Sequence, residues 1–427
     1  MSSDRSDFVD DIVQDKIPEH SRPARDTFHP WHRVRKEFIR SQQWNLLTER
    51  MIVREWKREL QQPAHDWSLD DVQLDGGSFQ PGTLLKRPIN CLVIPGDDML
   101  DLRALYRDVD KLNCHIRYLG FNESASSAQA NTQLHVSNNA ITSLPKVYRD
   151  SRVVHDRFEA LAHPGSQAMR YLKEYGPYHV INLDLCGSMF PNRAKAPADY
   201  YQALREVLSF QCVRQNVEWL LFITTMVEPA IVNVEDLGKL CGPTRKNYDD
   251  HKDFAGLIER LIPSILFPST PPPPIDVSGL SEEQLVQLFG LAFGKWLLTF
   301  CQTAQPQWSV AMRRSFVYSM NESRGAVMLS LAFELKPNIT PPTDLTGMTT
   351  LQSPPKPFPS EVECAKKLIE SVSNIRKVED ILAHQPELRL QLRDAQALLL
   401  EEAGYDRDAY LKWVANGEPS SRADGEP

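Results

Sequence analysis

The stretch HVINLDLCGSMFPN, residues 179–192, holds the side chains whose types and order best suit chemistry. An apolar run, Val180-Ile181-Asn182-Leu183, stops on the carboxylate of Asp184, and Leu185, Cys186, Gly187 and Ser188 follow. A carboxylate at a strand end either caps the next turn through its own side chain or stands at the lip of a ligand site. Open α/β sheets bind their ligands beyond the carboxyl ends of the strands. Both readings of Asp184 stay open at this level. A second acidic group, Asp97, Asp98 and Asp101, follows Gly96 in IPGDDMLD. It reads as a solvated helix N-terminus, where the helix dipole favours negative charge; a divalent cation is the alternative, with no partner spacing to support it. His29 and His32, three apart in FHPWHR, lack a completing ligand cluster and read as surface or packing residues. Cys186 as a nucleophile needs a partnered histidine, and buried lone cysteines mostly behave as small hydrophobes. The sequence contains no G-x-S-x-G, P-loop, H-E-x-x-H or G-x-G-x-x-G motif.

The elements that must position these residues are five apolar runs. They are NCLVIPG (90–96), HIRYLGFNES (115–124), SRVVHDRF (151–158), HVINLDL (179–185) and EWLLFITTMV (218–227). Segments 100–112, 165–175 and 198–214 between them can be helical. Strands alternating with helices predict a parallel α/β sheet with right-handed crossovers. A helix then starts at Ser281, with Gln284 completing a capping box, and runs through Leu285, Leu288, Phe293, Leu297 and Phe300. After it, SFVYSM (315–320) and AVMLSLAFEL (326–335) flank the turn-like NESRG and predict an antiparallel hairpin.

Outside this region the chain changes character. Residues 1–28 read as a flexible arm and 29–84 as a helical extension. The latter carries one long basic amphipathic helix over 31–60, with Phe38, Trp44, Leu47, Met51 and Trp56 on its apolar side. A solvated helix packed on a core is one reading of it; a nucleic-acid surface through Arg33, Arg35, Lys36 and Arg40 is the other. The α/β domain spans 85–336, followed by a proline-rich linker over 337–359. A helical region over 360–416 opens with a capping box at Ser360 and Glu363 and suits docking of a protein partner. Residues 417–427 read as a disordered tail.

Composition narrows the function classes. A chain of 427 residues with 24% charged residues and a net charge of −8 is ordinary globular protein. It is not a bulk polyanion binder, so nucleic acid would need a local basic patch. Seven scattered cysteines without C-x-x-C oppose a disulfide framework and a cysteine-rich zinc site, and point to reducing cytoplasm. The N-terminus lacks the apolar core of a signal peptide. The apolar segment near 291–300 is short and broken by Lys295, so no membrane span is expected.

Five parallel-type strands followed by a helix and a terminal hairpin resemble the class I S-adenosylmethionine-dependent methyltransferases, over residues 85–336. That resemblance implies a Rossmann-like α/β fold and S-adenosylmethionine as cofactor. It implies cofactor contacts from Gly96 after the first strand, where it is the sole glycine of the turn. Glu123 after the second strand would bind the ribose hydroxyls, and Asp156 after the third would read the adenine. Asp184-Leu185-Cys186-Gly187-Ser188 is similar to the D-P-x-G-S motif of the tRNA guanine-N2 methyltransferases, with Leu185 in the proline's place. By that likeness Asp184 would orient an amine acceptor, on a nucleic-acid base or another molecule, and Ser188 would add a hydrogen bond. The segment HPWHRVRKEFIRSQQW is similar to methyltransferase-like proteins of bacterial defence gene clusters. The alternatives are a non-catalytic methyltransferase-like interaction module in a larger assembly and a Rossmann-type domain for another nucleotide.

Overall fold

The computed structural model describes residues 24–61, 88–123, 128–185, 187–191, 200–263, 265, 279–320, 327–338 and 358–419. The five apolar runs form β1 (Ile89–Val93), β2 (Ile116–Phe121), β3 (Arg152–Val154), β4 (Val180–Asp184) and β5 (Trp219–Met226). All neighbours among them pair in parallel, in the spatial order β3-β2-β1-β4-β5. Three strands follow in sequence: β6 (Trp308–Met312), β7 (Phe316–Ser319) and β8 (Val327–Pro337). β8 lies antiparallel along the whole of β5, and β6 and β7 pair with its two successive halves. The expected hairpin is therefore present as β7–β8, and β6 is an additional strand. A two-residue strand, β9 (Arg376–Lys377), adds to β7 from the C-terminal region. The sheet is mixed and mostly parallel, of Rossmann-like α/β class.

Burial explains the composition of the central strands. Leu220 and Phe222 of β5 enter one hydrophobic core, while Trp219, Leu221 and Ile223 enter another. A strand covered on both faces must be apolar at consecutive positions, which is why β5 reads as an unbroken run. The helices that cover the sheet are α1 (Val34–Ile39), α2 (Leu46–Gln61), α3 (Leu100–Lys111), α4 (Ala128–Thr142) and α5 (Gln167–Tyr175). They continue with α6 (Tyr200–Arg214), α7 (Val234–Asp250), α8 (Lys252–Leu261) and α9 (Glu282–Thr303). The last four are α10 (Glu361–Ser373), α11 (Val378–His384), α12 (Pro386–Glu402) and α13 (Arg407–Ala415). Both capping boxes form: Ser281 with Gln284, and Ser360 with Glu363.

The helix expected over 31–60 is α1 and α2 joined through a π-helical turn, Arg40–Asn45. It packs on the core, with Glu49 and Arg50 exposed on its outer side. Phe38, Ile39, Trp44, Met51 and Ile52 are buried in the same core as α3, α12 and α13. α9 is long and apolar enough to cross a membrane, but it is buried within the fold, with Leu285, Phe289, Phe293 and Leu297 fully inside.

The two ends of the described chain clasp each other. Arg25 bridges Tyr405: its N–H donates to the Gly404 carbonyl at 3.1 Å, and the Asp406 N–H donates to its carbonyl at 2.8 Å. Phe28 is buried against the rings of Tyr405, Tyr410 and Trp413. The arm expected over 1–28 is thus packed from Arg25 onward, and residues 1–23 lie outside the described residues. Likewise Glu418 is buried, its carbonyl accepting from Arg33 Nη2 at 3.0 Å. The tail expected over 417–427 is thus packed at Glu418, and residues 420–427 lie outside the described residues, as does most of the 337–359 linker.

Candidate ligand cleft

β1 hands the chain to α3 through Ile94-Pro95-Gly96-Asp97-Asp98-Met99. Met99 caps α3 with φ of 51°, a left-handed conformation uncommon for a bulky residue. Its side chain is buried in the core, and its N–H donates to the Gly96 carbonyl at 2.9 Å, which folds the turn tightly over the sheet edge. Beyond this edge, at the carboxyl ends of β1, β2 and β4, lies a cleft of about 710 Å³. It sits between β1 and β4, where the strand order reverses, the position at which doubly wound sheets bind ligands.

Of the residues singled out in the sequence, Gly96, Glu123 and Asp184 line this cleft, each from the end of a different strand. Asp156 and Ser188 do not. The Asp156 carboxylate is turned to the neighbouring backbone, accepting from Arg157 N–H at 2.8 Å. Ser188 is buried, and its Oγ accepts from the Phe190 N–H at 3.2 Å, so it serves the local turn. Cys186 lies outside the described residues.

The acidic turn is not solvated. Asp98 is buried and takes Arg25 Nη1 at 2.7 Å, Tyr405 Oη at 2.7 Å and Gln133 Nε2 at 3.1 Å. Asp101 accepts Arg40 Nε at 2.7 Å, and Asp184 accepts Lys36 Nζ at 2.6 Å. Three cations of the N-terminal segment therefore seat on three carboxylates of the sheet edge and form one wall of the cleft. Gln396 of α12 supports Arg40 from behind at 3.1 Å.

This arrangement corrects the expected nucleic-acid face. Arg33, Lys36 and Arg40 are each no more than 3% exposed. Arg33 donates to the carbonyls of Met320 and Glu418, and Arg35 donates to the Ser319 carbonyl at 3.0 Å and approaches Glu379 at 3.3 Å. A buried cation needs a close partner to offset its desolvation, so these side chains turned inward to carbonyls and carboxylates. The spacing carried a signal for this. Lys36, Arg40 and Trp44 recur every fourth residue, on a stripe that also holds buried apolar side chains. Nothing local marks Tyr318, Gln133 or Tyr405, which reach the cleft from distant segments.

The electrostatics follow from burial and pairing. Burial works against the charge on Lys36, yet Asp184, Tyr318 and Asp101 hold its pKa above the ordinary lysine value. Burial raises the Asp184 pKa and Lys36 opposes the rise; about 21% of the Asp184 side chain remains open to the cleft. Burial, opposed by Lys36 and aided by Asp184, pushes the Tyr318 phenol up to about 12, so it stays a neutral hydrogen-bonding group. Glu37, one residue along from Lys36, is raised by burial to about 7, with Arg40 opposing. Burial also keeps His32 well below its usual value and hence neutral; its Nδ1 accepts the His29 N–H at 3.2 Å.

Among the described residues four cations line the cleft, Arg25, Lys36, Arg40 and Arg157, against seven carboxylates: Asp26, Asp97, Asp98, Asp101, Glu123, Glu159 and Asp184. Each of the four faces one of these carboxylates, Arg157 being paired with Glu123 across the rim. At the mouth, Trp31 is 42% exposed and stacks on His29 with ring centroids 4.5 Å apart. Tyr318, Met320 and Met328 supply an apolar wall from the hairpin. Among the described residues, no three His, Cys, Asp or Glu side chains are grouped as metal ligands.

No curated protein matches this sequence. A family model matches residues 25–415, a span that includes the N-terminal segment, the sheet, the cleft and the C-terminal helices together, and the chain belongs to the PP_RS20740-like family.

Proposed function

We propose that the cleft binds S-adenosylmethionine and that the chain is a divergent methyltransferase-like protein acting on an amine. The observation that carries the reading is that Gly96, Glu123 and Asp184 converge on one cleft from the ends of β1, β2 and β4. Gly96 fits the role on a second ground. A Cβ there would meet no atom of the described residues within 4 Å, and its φ is not left-handed. Neither packing nor backbone conformation calls for glycine, and its bare backbone leaves room for a ligand. Glu123 offers two acceptor oxygens for vicinal hydroxyls. The carboxylate excess suits a sulfonium cation and opposes polyphosphate ligands. When bound, the cofactor supplies an activated methyl group. The chain's part is then to hold an acceptor nitrogen near Asp184, Lys36 and Tyr318, since positioning contributes much of the acceleration in such displacements.

A second reading, a non-catalytic interaction module, draws on the Lys36–Asp184 pair, because that carboxylate already has a cationic partner at 2.6 Å. Calorimetric titration with S-adenosylmethionine tests the binding that the first reading requires. One equivalent should bind. Glu123→Ala should weaken it by about tenfold to a hundredfold, the worth of hydrogen bonds to a charged group, while Asp184→Asn retains it. A folded protein that gives no heat at millimolar ligand refutes the methyltransferase reading.

A further inference from the structure

We infer that the second ligand of this cleft, the one accepted beside the adenosyl ligand proposed above, is not a nucleic acid but a small organic amine. It enters as its cation and passes one proton to the Asp184 carboxylate, which frees the nitrogen lone pair for the methyl group. Nucleic-acid affinity arises mainly from cations that neutralise phosphates and release counterions. Among the described residues the cleft has none to spare: each of the four cations there already faces a carboxylate at the sheet edge or rim, at 2.7 Å for Arg25, 2.6 Å for Lys36 and 2.7 Å for Arg40. Carboxylates outnumber cations along the described lining, so the field they set up favours positive charge.

The mouth makes the same selection by shape. Trp31 lies at the cleft rim, 42% exposed although large and apolar, and His29 stacked behind it fixes the ring plane. A tryptophan face is the strongest aromatic partner for an organic cation. Met320 and Met328 also line the cleft, with polarisable side chains that adapt to an irregular apolar body. A cleft of about 710 Å³ is of small-molecule size. Charge, an aromatic rim and limited volume all point to a compact amine.

The test uses the full chain, loaded with S-adenosylmethionine, titrated calorimetrically with tryptamine, phenethylamine and putrescine, and separately with single-stranded and duplex oligonucleotides. At least one amine should bind, with an affinity that falls about tenfold in Trp31→Ala. Trp31 is exposed enough for that variant to fold, and its thermal midpoint checks this. The inference fails if the loaded protein is silent to the amines, if Trp31→Ala binds them unchanged, or if oligonucleotides bind in their place. Failure of the earlier reading looks different: S-adenosylmethionine itself gives no heat, before any amine is added.

Discussion

The N-terminal helical run makes a charged seam with the sheet at both of its ends, and the two seams are built differently. At the carboxyl end of β4, Lys36 and Asp184 meet one to one beside the cleft, with the Lys36 side chain only 4% exposed. At the amino end of β5, Glu218 and Glu334 lie buried side by side. Arg54 of α2 pairs with both, Lys336 reaches them at 3.3 and 2.5 Å, and Arg313 reaches Glu334 at 2.6 Å. Burial and the neighbouring Glu334 raise Glu218, whereas Lys336 and Arg313 keep Glu334 below its usual value against burial. The three cations of this second seam are each more than a third exposed. Any one of them can turn to water if a carboxylate is lost. Lys36 has no such escape. The redundant seam behaves as a fastening, whereas among the described residues the single pair has no substitute partner beside the cleft.

The largest test of that contrast removes a carboxylate from the single pair. Asp184→Ala leaves Lys36 buried without its counter-charge and should lower unfolding stability by about 3–5 kcal/mol in denaturant titrations. The double variant Lys36→Met/Asp184→Leu should recover most of the loss, because an apolar pair of similar volume replaces a buried ion pair at little expense. A single-variant loss below about 1 kcal/mol would place the pair with ordinary exposed ion pairs.

A smaller effect concerns Glu37, between the two seams. Its carboxyl is raised from 4.5 to about 7 in the folded protein. The folded state therefore holds this proton more tightly than the unfolded one. The contribution is complete below the unfolded value and is lost as the pH rises through about 7. Stability of the wild type relative to Glu37→Gln should fall by roughly 3 kcal/mol across that window. A pH-independent difference would show that Glu37 stays ionised throughout. The smallest effect belongs to the redundant seam, where Arg54→Ala should change stability by less than about 1 kcal/mol, since Lys336 and Arg313 remain. A loss as large as that of Asp184→Ala would erase the distinction between the seams.

Much of the sheet was legible in the sequence because central strands covered on both faces must be apolar at every position, and their ends were marked by Gly96, Glu123 and Asp184. Other elements gave weaker signals. α4, AQANTQLHVSNNAIT, places only a few apolar side chains, Leu134 and Ile141 among them, in the core. α7 carries Pro243 inside it, a residue that ordinarily argues for a break. β6 is buried only at its ends, Trp308 and Met312. In the cleft, the carboxylates were readable as strand ends, but their partners were not. Pairing Asp184 with Lys36, or Asp98 with Tyr405, is a property of how distant segments meet, and local pattern does not encode it. The basic character of 31–60 misled for the same reason, since charge content says nothing about which way a side chain points.

The clasp between Arg25 and Tyr405 has a bearing on biosynthesis. The wall that carries Arg25, Lys36 and Arg40 emerges from the ribosome hundreds of residues before Tyr405 and α13, which hold it. Closing so long a loop is entropically unfavourable until the far end arrives, and folds dominated by such distant contacts form slowly. The cleft is therefore among the last features a nascent chain acquires, its wall complete only once the C-terminal helices have been made and docked.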